Sequence, residues 1–135
     1  MGSLYTSIIP DLLSKELIQT IDNSKAQIMY ICNMMTQPGE TDDFKASDHV
    51  NVLNSYLGKK KISTVIANHG PIPEDMIKKY WKKEQKSPVL LDKENLKNVK
   101  LIDKDYVAVV DNVIRYQPDK LALDIYGYLI EEEEN

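Results

Sequence analysis

Residues 26–50 read "AQIMYICNMMTQPGETDDFKASDHV": an apolar stretch, a polar run and the opening of a helix. The stretch "AQIMYIC", 26–32, has the length and apolar character of a buried strand, and Val50, Leu53 and Leu57 then recur at helical spacing. The polar connection between them is long for a strand-to-helix loop, and in parallel α/β sheets such loops handle the ligand. The segment therefore predicts a strand, a ligand-bearing loop and a helix.

Working outward, Leu13, Leu17 and Ile21 fall every four residues and predict a helix over 9–21, with Pro10 tolerated near its start. Ser47 is the expected N-cap of the helix after the loop, and Gly58 its stop. "ISTVIAN", 62–68, is a β-branched strand. "NHGPIPEDMIKKYWKKEQ", 68–85, opens with prolines, places Glu74 and Asp75 at the positive end of a helix and brings its lysines late. "SPVLLD", 87–92, and "VKLID", 99–103, read as short strands, and "YVAVVDNVIRY", 106–116, as one or two more. Pro118 starts a last helix with Leu121, Ile125 and Tyr128 inward. This alternation predicts an α/β fold, Rossmann-like and three-layered, with a largely parallel sheet. "EEEEN", 131–135, reads as a solvated, frayed acidic tail.

The 135 residues, 42% hydrophobic and 28% charged, suit one domain or a piece of one. A net charge of −4 argues against general nucleic-acid binding, which needs a positive field to displace counterions. No segment approaches the roughly 20 apolar residues of a membrane span, and the first residues lack a signal-peptide pattern. Cys32 is the single cysteine and follows a strand, so it reads as a core thiol in a reducing compartment. A cytoplasmic protein is expected.

Each of the two main strand-to-helix loops begins with asparagine, Asn33 and Asn68, whose amide donates and accepts at once. Such an amide reads a base or sugar edge, or it ends a strand and opens a turn; the residues alone leave both open. Thr36, Gln37, Gly39, Glu40 and Thr41 offer hydroxyls, an amide and backbone N–H groups before a helix N-terminus, which suits a phosphate or a sugar. The same residues also make an irregular connection that caps its helix. His49 and His69 lack the paired spacing of a zinc site. Asp42, Asp43 and Asp48 can supply oxygen ligands to a divalent cation carried in with a nucleotide, or cap the helix. No metal cage and no resident cofactor are expected. Arg115, the single arginine, contacts phosphate bidentately or pairs with Asp111 or Asp119. No nucleophile elbow, P-loop or dinucleotide fingerprint is present.

"MTQPGETDDFKASDHV" resembles a signature of the bacterial gluconeogenesis-factor family, relatives of the 2-phospho-L-lactate transferases that bind uridine diphosphate sugars. "GSLYTSIIPDLL", "NHGPIP" and "VIRYQPDKLA" resemble further segments of that family in the same order. The resemblance implies the C-terminal half of a CofD-like domain, without the Gly-rich nucleotide loop, so the sheet is expected to be incomplete and the half-domain to self-associate. It also implies that Ser3, Tyr5, Thr6 and Ser7 form part of a cleft lined by Thr36, Gln37, Gly39, Glu40 and Thr41. Asn33 lies at the base of that cleft, and Arg115 at a nucleotide-sugar contact. Tyr116 and Gln117 stand where relatives often have histidine and aspartate, and "TDDF" replaces a threonine-aspartate-glycine-tyrosine.

Two functions follow as expectations. One is a non-enzymatic regulator that binds a uridine diphosphate sugar such as uridine diphosphate N-acetylglucosamine and connects carbon supply to cell shape, through cell-wall synthesis proteins. The other is a transferase moving a phosphate-linked group from a nucleotide to an alcohol, a chemistry of positioning and a divalent ion. Fold kinship alone transfers neither.

Overall fold

Ile28–Ile31 (β1), Ile62–Asn68 (β2) and Lys100–Lys104 (β3) form a three-stranded parallel sheet in that order, in a computed structural model that describes residues 15–25 and 27–134. Tyr30 stands opposite Val65 and Ile66 opposite Ile102, so the apolar positions of the three strands fall into common rows. Strand β2 has a neighbour on each side, and its Val65 and Ile66 are wholly buried. Burying each of these is worth about 1.5–3 kcal/mol, which makes this strand the anchor of the fold.

Side chains alternate between the two faces of the sheet, as the pleat requires. On one face Tyr30, Cys32, Val65 and Ala67 pack with Val50, Leu53 and Leu57 of, or just beyond, helix Ala46–Tyr56, with Ile18 and Ile21 of Lys15–Asn23 against them. In chain order these helices are α2 and α1. On the other face Ile66 packs with Met34, Met35 and Tyr106, flanked by Tyr80 of Glu74–Glu84 (α3) and by Leu121 and Ile125 of Pro118–Glu134 (α4). Below them Thr64 donates to Tyr128 and Tyr128 to Gln27, at 2.8 and 2.6 Å, which tethers α4 to the sheet. The expected three-layer α/β arrangement with a parallel sheet is what forms. Val107–Val110 (β4) and Val113–Tyr116 (β5) add an antiparallel hairpin. Its turn residues Asp111 and Asn112 both have positive φ, 52° and 62°, the conformation that a tight two-residue turn demands.

Three local expectations are corrected. "SPVLLD" is not a strand: it makes isolated bridges, Met35 with Pro88 and Lys45 with Leu90, because its backbone bonds run to the loop and to the start of α2. The N-cap of α2 is Lys45, not Ser47; Asp48 accepts the Lys45 N–H at 2.8 Å, while Ser47 is inside the helix. The inward pair of α1 is Ile18 and Ile21, and Leu17 is exposed. Helix α4 runs through Glu134, so the acidic residues 131–134 belong to its last turn. Gly58 follows a helix end in extended conformation, and its role is room: a Cβ there would collide with the Asp22 carboxylate, which accepts the N–H groups of Lys59 and Lys60.

Candidate functional site

The carboxyl ends of β1 and β2 open into a cleft of about 420 Å³. Asn33 and Asn68 stand at its head with His69 and Gly70, Ala46 at the start of α2 lies beneath, and residues 88–91 with Lys93 form the opposite wall. This is where a parallel sheet collects ligands, because the loops diverge there and a helix N-terminus faces the gap. The wall is pinned along its length. Val89 donates to the Met34 carbonyl and Ala46 to the Leu90 carbonyl, both at 2.8 Å. At its end the buried Asp92 carboxylate accepts the Ser47 N–H at 3.0 Å, the Ser47 hydroxyl, and the Asn95 amide at 2.8 Å. Burial works to raise the pKa of Asp92, but these bonds outweigh it and hold the carboxyl below its ordinary value.

The two asparagines have different fates. Asn68 is spent: its Oδ1 accepts the N–H groups of Gly70 and Tyr106, and its Nδ2 donates to the Gly70 carbonyl. It locks the turn after β2 and docks the hairpin. The Asn33 side chain makes no hydrogen bond among the described residues, and it faces the cleft.

Thr36, Gln37, Gly39, Glu40 and Thr41 lie in the loop beyond the lining of this cleft, and their backbone donors are taken. Thr36 exchanges bonds with Ser87, its N–H to the Ser87 carbonyl at 2.7 Å and its Oγ1 accepting the Ser87 N–H at 3.1 Å. Thr41, 0% exposed, accepts the Gln37 N–H at 2.7 Å. Gly39, at φ +77°, donates to Asp42, and Glu40 donates to the Gln37 carbonyl. The threonines shape the loop from within, and Gln37 and Glu40 are half-buried in it. Asp42 and Asp48 cap turns, and no group of three His, Cys, Asp or Glu able to hold a metal ion occurs among the described residues.

Arg115 is exposed on β5, one position before Tyr116, whose hydroxyl bonds the Cys32 carbonyl beneath the cleft. It does not line the cleft. Ser3, Tyr5, Thr6 and Ser7 lie outside the described residues. Cys32 does line it, but burial pushes its thiol up to about 12, so no thiolate nucleophile forms at neutral pH. His49 is wholly buried beside Tyr30, whose hydroxyl is 3.1 Å from Nδ1, and Nε2 has no partner among the described residues. Burial lowers its pKa although Asp48 works the other way.

One group at the cleft has no counterpart among the expected site residues. His69 directs Nδ1 at Asp103 Oδ2, 3.1 Å away, and Lys93 Nζ reaches the same oxygen at 2.5 Å. The partner could not be named from spacing, because it depends on the β2–β3 register that puts Asp103 opposite Ala67. The visible signal was a histidine directly after a β-branched strand.

The profile of the 2-phospho-L-lactate transferase CofD family matches residues 1–107. The chain is 44% identical over 130 residues to a protein named putative gluconeogenesis factor in Thermoanaerobacterium thermosulfurigenes, covering 95% of the chain and 40% of that relative. It is 41% identical over 123 residues to the gluconeogenesis factor of Bacillus subtilis, covering 90% of the chain and 38% of that protein. The crystal structure of a UPF0052 family member from Bacillus halodurans superposes with a TM-score of 0.86 at 37% identity, over 93% of the chain and 41% of that structure. The chain thus spans about two fifths of the length of these relatives.

Proposed function

The chain belongs to the 2-phospho-L-lactate transferase CofD family, and on that premise we propose that it contributes to a regulatory protein that binds a nucleotide sugar, of the uridine diphosphate N-acetylglucosamine type. The observation that carries this reading is the unspent Asn33 amide, held at the carboxyl end of a parallel strand in a cleft above a helix N-terminus. An amide so placed can read a base or sugar edge. Kinship with gluconeogenesis factors supports the regulatory role, in which the bound sugar reports carbon supply to proteins of cell-wall synthesis in the cytoplasm. The buried, protonated thiol of Cys32 supports binding without covalent chemistry. No helix of the described residues is long and apolar enough to cross a membrane.

A second reading, transfer of a phosphate-linked group from a nucleotide to an alcohol with a divalent ion, is favoured by the His69–Asp103 pair, since a histidine oriented by a carboxylate can take a hydroxyl proton. One experiment separates the two. Uridine diphosphate N-acetylglucosamine is titrated calorimetrically into the chain joined to the N-terminal part of the Thermoanaerobacterium relative, with and without magnesium, and the mixture is analysed for products. Saturable binding of intact ligand, weakened about tenfold by Asn33→Ala, supports the regulator. Turnover establishes the transferase class, and absence of both discards the nucleotide-sugar assignment.

A further inference from the structure

His69 sits where the chain leaves β2, and its backbone is fixed: its N–H donates to the Lys104 carbonyl at 2.9 Å, which extends the β2–β3 ladder by one residue. Its ring lines the cleft while its side chain is half exposed. Among the described residues Asp103 is the only group bonded to the ring, and that carboxylate is 21% exposed. Burial works to raise the pKa of Asp103, but the bonds from Lys93 and His69 prevail and keep it below the ordinary carboxylate value. An ionised carboxylate is an acceptor without a proton to give. Nδ1 must therefore carry the hydrogen of the neutral imidazole, and Nε2 must carry the lone pair. The choice of tautomer follows from the partner of one nitrogen and sets the chemistry of the other.

We propose that the Asp103–His69 pair presents a fixed hydrogen-bond acceptor, His69 Nε2, to the cleft, and that this acceptor selects a ligand with a hydroxyl donor at that corner, a sugar or ribose O–H rather than a phosphate oxygen. A phosphate oxygen brings lone pairs only and would meet the lone pair of Nε2. Asp103 is a positioning residue here, and Lys93 keeps it ionised. Asn33, which both donates and accepts, serves the β1 side of the same cleft. The identification of the ligand as a sugar rests on the nucleotide-sugar reading above; the polarity of Nε2 does not.

The test is imidazole ¹⁵N NMR of the uniformly labelled chain at pH 8. The sequence has two histidines, and the signals of His69 are those that vanish in His69→Gln while those of His49, beside Tyr30, remain. The expected pattern for His69 is protonated Nδ1 and bare Nε2, inverted in Asp103→Asn, whose amide can donate to Nδ1 and drive the proton to Nε2. A wild-type ring protonated at Nε2, or populating both tautomers equally, overturns the proposal without recourse to any variant. Uridine diphosphate N-acetylglucosamine is then added to the chain and, in parallel, to the longer protein of the preceding experiment. Binding should move the Nε2 resonance and be weakened about tenfold by Asp103→Asn, the loss of about one net hydrogen bond. Saturation that leaves Nε2 unmoved also overturns the proposal. Failure of the nucleotide sugar to bind at all, with the tautomer and its inversion as expected, overturns the nucleotide-sugar reading and leaves the acceptor assigned.

Discussion

Replacing Asp92 by alanine tests whether the wall of the cleft is held by one buried carboxylate. Asp92 is 1% exposed and accepts three hydrogen bonds, two from Ser47 and one from Asn95. Hydrogen bonds to a charged group are each worth about 1.5–3 kcal/mol, and a buried donor left unpaired costs about 1–3 kcal/mol. Asn95 is exposed and can turn to water, whereas Ser47 is 5% exposed, so its N–H and hydroxyl lose their partner without replacement. Against this stands the relief of desolvating a carboxylate, which offsets part of the loss. The expected net cost of Asp92→Ala is about 3 kcal/mol, a large share of the 5–15 kcal/mol available to a domain. Asp92→Asn keeps an acceptor for the Ser47 N–H and can donate to the Ser47 hydroxyl, so it should cost only about 1 kcal/mol. The assay is urea unfolding at pH 7 followed by far-ultraviolet circular dichroism. The sign with pH is also fixed: the folded pKa is depressed, so the contribution is present above the unfolded value near 3.9 and is lost as pH falls through the folded one. Equal costs for the two variants, or an alanine variant within about 0.5 kcal/mol of the parent, would refute the argument.

Three further outcomes follow from the same structure. His49 is buried with a depressed pKa, so stability should be full above the unfolded value near 6.5 and fall as pH drops below it; urea midpoints from pH 8 to 5 should show this slope, flattened in His49→Gln. Thr41→Val removes the acceptor of the Gln37 N–H inside the loop and should cost about 1–2 kcal/mol, with faster amide exchange at Gln37 and unchanged exchange in β2. Gly39→Ala meets no atom, since nothing lies within 4 Å of the added carbon, but φ of +77° should still cost about 1 kcal/mol, read as a lower thermal midpoint.

The parallel sheet was legible because its central strand is β-branched and its helices carry regular apolar spacing, signals that survive without tertiary context. What failed depended on where a backbone finds its partner. "SPVLLD" is as apolar as a strand, yet Pro88 has no N–H to give a ladder, and the neighbouring amides reach the loop and α2 instead. In α1 the periodicity was right and the phase was one residue off, since Ile18 satisfies helical spacing to Ile21 as well as Leu17 does. In the site loop, composition identified the polar atoms without their direction. Thr36 and Thr41 turn inward to Ser87 and Gln37 because the long connection must satisfy its own buried amides.

Asn33 and Asn68 show how neighbours decide function from an identical signal. Each stands at the carboxyl end of a parallel strand, where a polar side chain meets the ligand space. Strand β2 is flanked on both sides, so the chain returning from β3 passes within reach of Asn68, and the Tyr106 N–H and the Gly70 turn take its amide. Among the described residues strand β1 pairs only with β2, no segment passes within hydrogen-bond reach of the Asn33 side chain, and its amide keeps its capacity. The binding capacity of the cleft is therefore asymmetric: an adaptable amide on the β1 side and an oriented imidazole beyond β2, with the pinned wall between them. A ligand using both must span the ends of the strands. Asn33→Ala and Asp103→Asn should then weaken the same titration by amounts that add, as contacts to opposite ends of one molecule do when they share no partner. Losses that overlap would mean that the two groups touch the same atoms, and the spanning arrangement would fall.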